Sequence, residues 1–321
     1  MGLRAGGAGE LYFVGVDAGG TTIKAGLLTA DLGLCGQFSV PTPRAAGPDA
    51  VVAAVLAAVT DAVALGTRQF GTSPAAVGLA VLGLVDEAAG VAVNSAAAGW
   101  RDVPLADLVR RTVSVPLGFG HDLRAAALAE AELGAGRGLD SFLFVALGTG
   151  VGATLVLDGK PFAGTHGRAG EIGHVPVRGR ADRCPCGAVG CLETIASARA
   201  IAARYARWTG CPAPDGAQVA RLARQGDRVA AGIWSDAVYA LGEVLAATVT
   251  VTDPAAIVLG GGLAQSGEQL LAPVREELAT RLSLGPPPPV VPAALGDQAA
   301  LVGAGLLARR ALAGAGTKTR R

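Results

Sequence analysis

Residues 11–31, LYFVGVDAGGTTIKAGLLTAD, and residues 142–159, FLFVALGTGVGATLVLDG, share one plan. Each passes from a β-rich apolar run through a turn of glycine and threonine into a second apolar run, the pattern of a β-hairpin. Two such hairpins about half a chain apart predict two α/β domains of related architecture, their Gly/Thr turns facing a shared cleft. The length of 321 residues suits two domains. Backbone N–H groups in turns of this kind, joined by threonine hydroxyls, form concave donor arrays suited to phosphate oxygens; each turn taken alone is equally well read as a tight hairpin. Neither turn fits the two common nucleotide motifs. GVDAGGTT lacks the Gly-Lys-Ser/Thr ending of a P-loop. Gly148, Gly150 and Ala153 satisfy G-x-G-x-x-A, but that motif must open a helix and here runs into TLVLDG, which reads as a strand.

A second constraint lies at residues 174–193, HVPVRGRADRCPCGAVGCLE. The chain has five cysteines and three histidines, yet His174, Cys184, Cys186 and Cys191 fall together with spacing H-x9-C-x-C-x4-C. Three thiolates and an imidazole are the ligand set of a tetrahedral zinc site. Gly187 and Gly190 stand where a chain folding around an ion needs tight backbone turns. Four protein ligands leave no open position for a reactive water, so the zinc is expected to be structural. Cys35 and Cys211 lack such neighbours and read as ordinary thiols.

Charge and hydropathy exclude several classes. A net charge of +1 and a pI near 7.7 give no field for a nucleic acid or an anionic membrane. Mean hydropathy is high, +0.45, but Ala, Val, Leu and Gly supply it, and apolar stretches read as interrupted within 18 residues, so no membrane span is expected. MGLRAGGAGE does not resemble a secretory signal, and the expected compartment is the cytosol.

Between the hairpins, GFGHDLRAAALAEAELGAGRG predicts a helix from Leu123 to Leu133 with Asp122 at its N-cap position. Asp122 is readable as that cap, or as a carboxylate that accepts a proton from a substrate hydroxyl. DPAAIVLGGGLAQSGEQLLAPVREEL predicts a strand, a Gly260-Gly261-Gly262 turn and a helix. PDAVVAAVLAAVTDAVALG reads as a helix of the first domain, and CPAPDGAQVARLARQGDRVAAGIWSDAVYALGEVLAATVTVTD as a helical stretch of the second. GPPPPVVPAA, residues 285–294, must be extended. The terminal segments 1–10 and 312–321 are expected to be flexible tails.

The set DAGGTT, HD before an Ala-rich helix, ALGTGVG, AGEIGH, CPCGAVGCLE and IVLGGGL resembles the ROK family of bacterial sugar kinases and sugar-responsive repressors, which includes many glucokinases. The resemblance covers residues 12 to about 308. It implies a two-domain actin-like, ribonuclease H-like α/β fold with ATP and sugar meeting in the interdomain cleft. The domains would be 11–121 and 122–296, with a final helix at about 297–308 packing back on the first. It further implies an ATP-dependent sugar 6-kinase that carries Mg²⁺ and the structural zinc and assembles as a homodimer or homotetramer. Asp122 matches the family's catalytic base, which takes the proton of the sugar 6-hydroxyl. Glu171, His174 and Glu193 match positions that hold sugar hydroxyls, His174 being a zinc ligand as well. Asp17, Gly19, Gly20 and Thr21, with Thr22 and Lys24 beside them, match the first phosphate motif, and Asp17 would orient Mg²⁺ through water. Gly148, Thr149 and Gly150 match the second motif, and Gly260, Gly261 and Gly262 the adenosine side.

The chain departs from the family in two places. His121 stands where glucokinases of the family usually have asparagine, and Ala97 stands where an asparagine usually precedes the Gly-Trp seen here as Gly99-Trp100. Either Asn94 and His121 take over the same sugar contacts in a glucokinase, or the sugar is a modified hexose such as kanosamine, N-acetylglucosamine or N-acetylmannosamine. A repressor of the family is disfavoured, since the ten or so residues before the first strand cannot hold a helix-turn-helix. A noncatalytic sugar-sensing protein would leave Asp122 and both phosphate turns without a use.

Overall fold

A computed structural model describes residues 7, 9–211 and 215–318. The chain forms two units, Met1–Ala129 with Gln298–Arg321 and Glu130–Asp297. In the first, β1 (Tyr12–Ala18), β2 (Thr22–Thr29) and β3 (Leu34–Pro41) form an antiparallel meander, followed by α1 (Pro48–Phe70) and β4 (Ala76–Val81). A small antiparallel sheet of β5 (Leu84–Asp86), β6 (Val91–Ser95) and β7 (Trp100–Val103) comes next, then α2 (Leu105–Arg110), β8 (Leu117–His121) and α3 (Asp122–Leu133). The main sheet has the order β3-β2-β1-β4-β8, with β4 and β8 parallel to β1. Strand alternation sends Tyr12, Val14 and Val16 into the core shared with α1, where the Tyr12 and Phe70 rings stack at 4.2 Å.

The second unit opens with β9 (Ser141–Leu147), β10 (Val151–Leu157) and β11 (Lys160–Pro161). Four helices follow: α4 (Glu193–Ala196), α5 (Ala198–Thr209), α6 (Gly216–Arg224) and α7 (Arg228–Thr252). Then come β12 (Ile257–Gly260), α8 (Glu268–Arg281) and β13 (Val290–Pro292). Its sheet order, β11-β10-β9-β12-β13, repeats the first unit's sequence of two antiparallel pairings and two parallel ones. The duplication visible as two hairpins is therefore a duplication of the whole sheet. Leu143, Val145 and Leu147 face a core with Trp234, Leu241 and Leu245 of α7 and Leu270 and Val274 of α8. Pro292 lies in the edge strand β13, where a missing N–H costs no ladder bond.

The last helix, α9 (Ala299–Lys318), returns to the first unit. It packs on β1, β4 and β8 across a row of glycines, Gly15, Gly78 and Gly118, which the strand register places side by side. A Cβ on Gly78 would run into the backbone oxygen of Ala304, so helix and sheet meet backbone to backbone.

Three expectations change. The boundary anticipated between residues 121 and 122 falls after Ala129, inside α3, because the first two turns of that helix pack with α9: Ala125 lies against Gly303 and Ala304. The final helix is longer than 297–308, so residues 312–318 are helical, whereas 1–6, 8 and 319–321 lie outside the described residues. Contrary to the reading of interrupted apolar stretches, α1 and α7 are long and apolar enough to cross a bilayer. Their apolarity is spent in packing: α1 buries Val51, Val55, Ala58, Val59 and Ala62 against its sheet, and α7 buries Ile233 through Val249 at helical spacing.

Candidate active site

In the first unit, the register pairs Ala18 with Val81 and Val81 with His121. The turn after β1 and Asp122 after β8 therefore start from the same end of the sheet, two strands or roughly 10 Å apart at ~4.8 Å per strand. The turn is braced from within and from β3: Gly19 N–H donates to Thr22 O at 3.1 Å, Thr42 Oγ1 to Gly19 O at 2.8 Å, and Thr42 N–H to Thr21 O at 2.9 Å. Asp17 lies opposite Lys24 in the β1–β2 ladder; burial pushes its carboxyl up to about 6, against the pull of Lys24. Gly20 lies beside Leu82 and Ala97, so the alanine noted above flanks the first Gly/Thr turn. Asn94 is exposed on β6, opposite Leu84 and Arg101.

Asp122 is the first residue of α3, and its Oδ1 accepts from the Leu123 N–H at 2.7 Å. An N-cap would take the amide two or three residues on, so this bond to the adjacent amide is not a capping bond. The His121 ring is buried, with Nε2 3.4 Å from Asp122 Oδ1 and Nδ1 lacking a hydrogen-bond partner. Burial, helped by the Arg124 cation, brings the His121 pKa down to about 3. His121 is therefore a neutral imidazole, one nitrogen donating and one accepting, and does not titrate near neutrality. Two residues the sequence reading missed hold this junction. Glu87 Oε1 accepts from the His121 backbone N–H at 3.1 Å and from Arg124 Nε at 2.7 Å. No local motif marks that pair, which the β5–β6 connection brings together.

In the second unit, three of the expected segments meet at one end of the sheet. Gly148 N–H donates to Gly150 O at 3.0 Å, closing the second Gly/Thr turn with Thr149 exposed at its tip. Gly261 lies against the backbone of Leu147, next to that turn, and Gly260 pairs with Ala146. Glu193, expected at the sugar, is tied to the same turn: its Oε2 accepts from the Val151 N–H at 3.1 Å and its Oε1 pairs with Arg199 at 3.2 Å. The strand after Gly150 confirms that G-x-G-x-x-A here opens no helix.

AGEIGH packs along β10, where Ala153 N–H donates to Gly170 O at 2.8 Å. Gly170 has φ +91° and touches the backbone of Ala153 so closely that no Cβ fits. The segment ends in a short 3₁₀ turn, Ile172–His174. Residues 175–177 then pair back with 190–192, and Cys184, Cys186 and Gly187 form a knuckle closed by Gly187 N–H to Cys184 O at 2.9 Å. The ligand atoms of His174, Cys184, Cys186 and Cys191 all lie within 4.8 Å of one another. His174 Nδ1 is 3.6 Å from Cys184 Sγ, and Cys186 Sγ is 3.7 Å from Cys191 Sγ. A tetrahedron with zinc–ligand bonds of about 2.0–2.3 Å has edges of about 3.3–3.8 Å, so the donor set fits zinc. Burial and then the neighbouring sulfurs push the Cys191 thiol up to about 12, while the Ala188 backbone N–H lowers Cys186. The other ring nitrogen of His174, Nε2, faces Glu171 Oε2 at 3.8 Å. One imidazole thus joins the sulfur cluster to Glu171, the acidic residue of AGEIGH. The loop is anchored to α7 through Arg180, which pairs with Asp236, as does Arg204 of α5.

Comparison with known proteins places these features in a family. The ROK family model matches residues 13–311. A glucokinase of Streptomyces coelicolor is 33% identical over 311 residues, covering 91% of this chain and 95% of that one. An N-acetylgalactosamine kinase of Shewanella is 34% identical, covering 92% and 96%. The crystal structure of a ROK family glucokinase from Streptomyces griseus in complex with glucose and AMPPNP superposes with a TM-score of 0.83 at 33% identity, covering 93% of this chain and 99% of that one. The duplicated sheets, the paired Gly/Thr turns and the His–Cys₃ cluster are thus found in a chain that belongs, over nearly its whole length, to the ROK family.

Proposed function

We propose that the chain is an ATP-dependent hexose kinase that transfers the γ-phosphate to the 6-hydroxyl of glucose or a glucose-like sugar. The observation that carries this reading is Asp122: a carboxylate at the start of α3, at the same end of the sheet as a braced Gly/Thr turn, held beside a neutral imidazole. The Asp122 carboxylate takes the hydroxyl proton as the sugar oxygen attacks phosphorus and ADP leaves. The Gly19–Thr21 and Gly148–Gly150 turns offer N–H and hydroxyl donors to phosphate oxygens, and Gly260–Gly262 lets the adenosine side lie against backbone. Mg²⁺, when bound, neutralises phosphate charge; Asp17, whose carboxyl already sits at about 6, is the group at the turn suited to hold it through water. His174, Cys184, Cys186 and Cys191 would hold a structural zinc, and Nδ1 ligation of His174 leaves Nε2 for Glu171 or a sugar hydroxyl.

A modified hexose is the second reading. Two observations favour it: Ala97 offers only a methyl beside Gly20, and His121 offers a neutral ring with a partnerless buried nitrogen. A lost amide contact leaves a hydroxyl unpaired and weakens glucose by about 1–3 kcal/mol. The test is ATP consumption with glucose, mannose, N-acetylglucosamine, N-acetylmannosamine, N-acetylgalactosamine and kanosamine. A tenfold lead in kcat/KM for glucose removes the modified-hexose reading, and no ATP consumption with any of them removes the kinase.

A further inference from the structure

We propose that Glu87 and Arg124 are positioning residues for the Asp122 carboxylate, a charged clamp that grips the β8–α3 junction on both sides. The proposal rests on the reading of Asp122 as base. A single oxygen, Glu87 Oε1, accepts from the backbone N–H of the residue before Asp122 and from the guanidinium of the residue two after it, at 3.1 and 2.7 Å. Gly120 approaches the same oxygen: a Cβ there would lie 3.5 Å from it.

Arg124 is an odd residue for structure alone. Its side chain is only 6% exposed, and Ala125, Ala126, Ala127, Leu128 and Ala129 after it are all buried. A well-packed apolar side chain there would often be as stable as a buried ion pair. The helix dipole also disfavours a cation in the first turn. The pair is therefore placed against two general preferences, at the one junction that carries Asp122. What it secures is orientation: the His121 backbone is fixed, and with it the ring whose Nε2 lies 3.4 Å from Asp122 Oδ1. It also sets the charge around that carboxylate. The charged and titratable groups at the junction include Glu87 from the β5–β6 turn, His121 from β8 and Arg124 from α3, while α9 meets β8 through Leu307.

The test uses the full chain with glucose and Mg-ATP. Glu87→Gln keeps an oxygen acceptor but removes a negative charge close to Asp122, which favours the ionised carboxylate. The acid limb of kcat/KM should move to lower pH by about half a pH unit, Glu87 being 40% exposed and partly screened. Arg124→Gln leaves the Glu87 charge uncompensated, and the limb should move to higher pH by a similar amount. Both variants should lose about tenfold in kcat with sugar KM changed by less than about threefold. A brace without a positioning role would lower stability in both and leave the limb in place, and that result would overturn the clamp. If a glutamine variant fails to fold, Glu87→Asp and Arg124→Lys keep the charges and change the geometry; kcat should fall with the limb unmoved, and unchanged kcat overturns the clamp. Asp122→Asn separates the two ideas. If that variant is inactive while the limb stays fixed in the clamp variants, the clamp alone is wrong. If it turns over like wild type, the base reading falls and the clamp with it.

Discussion

The β8–α3 junction and the loop from His174 to Cys191 both present polar groups from short irregular backbone, yet they are stiffened by opposite means. The junction hangs from the parallel half of a mixed sheet whose register levels Ala18, Val81 and His121, and an ion pair closes it. Below it, α3 packs Ala125 against Gly303 of α9. The loop has a 3₁₀ turn, two isolated bridges and a knuckle, with four soft donors gathered at its centre. Fold and charge hold the first, so a conservative change there should alter chemistry more than stability. In the proposed reading the second depends on a bound cation, so losing a ligand should cost order and sugar binding together.

Outside Asp122, the largest effect on sugar use is expected at the loop. Cys191→Ser, or prolonged chelation, should remove a zinc present at about one per chain and lower kcat/KM by about 10–100-fold, with sugar KM carrying most of the change. Protein purified without chelator that contains no zinc by elemental analysis would break the comparison. Next is Gly78→Ala. A Cβ against Ala304 O must displace α9 and withdraw support from α3, at a cost of about 3–5 kcal/mol in urea unfolding.

Asp17 should follow at roughly 3 kcal/mol, with a defined sign. Its folded-state pKa of about 6 lies above the usual 3.8, so its contribution is complete below 3.8 and is lost as pH rises through about 6. Asp17→Asn should flatten stability across that window and raise it above pH 6 in the absence of nucleotide. The smallest effect is at Asp236→Ala, which frees Arg180 of the loop and Arg204 of α5. A loss of about 1–2 kcal/mol and faster metal release to a chelator would show that the anchor on α7 shares the burden with the metal.

The contrast also explains what could be read from the chain in advance. Both hairpins, the Gly260–Gly262 turn and the donor cluster are local, because glycine turns and close-set cysteines declare themselves within about ten residues. The row of Gly15, Gly78 and Gly118 exists only once three strands are in register, and nothing around any one of them announces it. Glu87 and Arg124 are distant in sequence and meet through the short β5–β6 insertion, whose strands of three and five residues carry little periodicity. Glu193 stands out locally as the acidic residue that ends CPCGAVGCLE, but its tie to Val151 exists only with the β10 strand beside it. The unit boundary slipped into α3 because helix continuity hides a change of packing partners.

The central claim is that Asp122 removes the proton from a sugar 6-hydroxyl during transfer from ATP. The most direct measurement is ³¹P NMR of the products from glucose and Mg-ATP, made with wild type and with Asp122→Asn under identical conditions. The account predicts ADP and a hexose 6-phosphate from the wild type, and a folded Asp122→Asn protein whose rate is lower by about 10²–10⁴-fold. Phosphate on another carbon, or Asp122→Asn turning over at the wild-type rate, would contradict it.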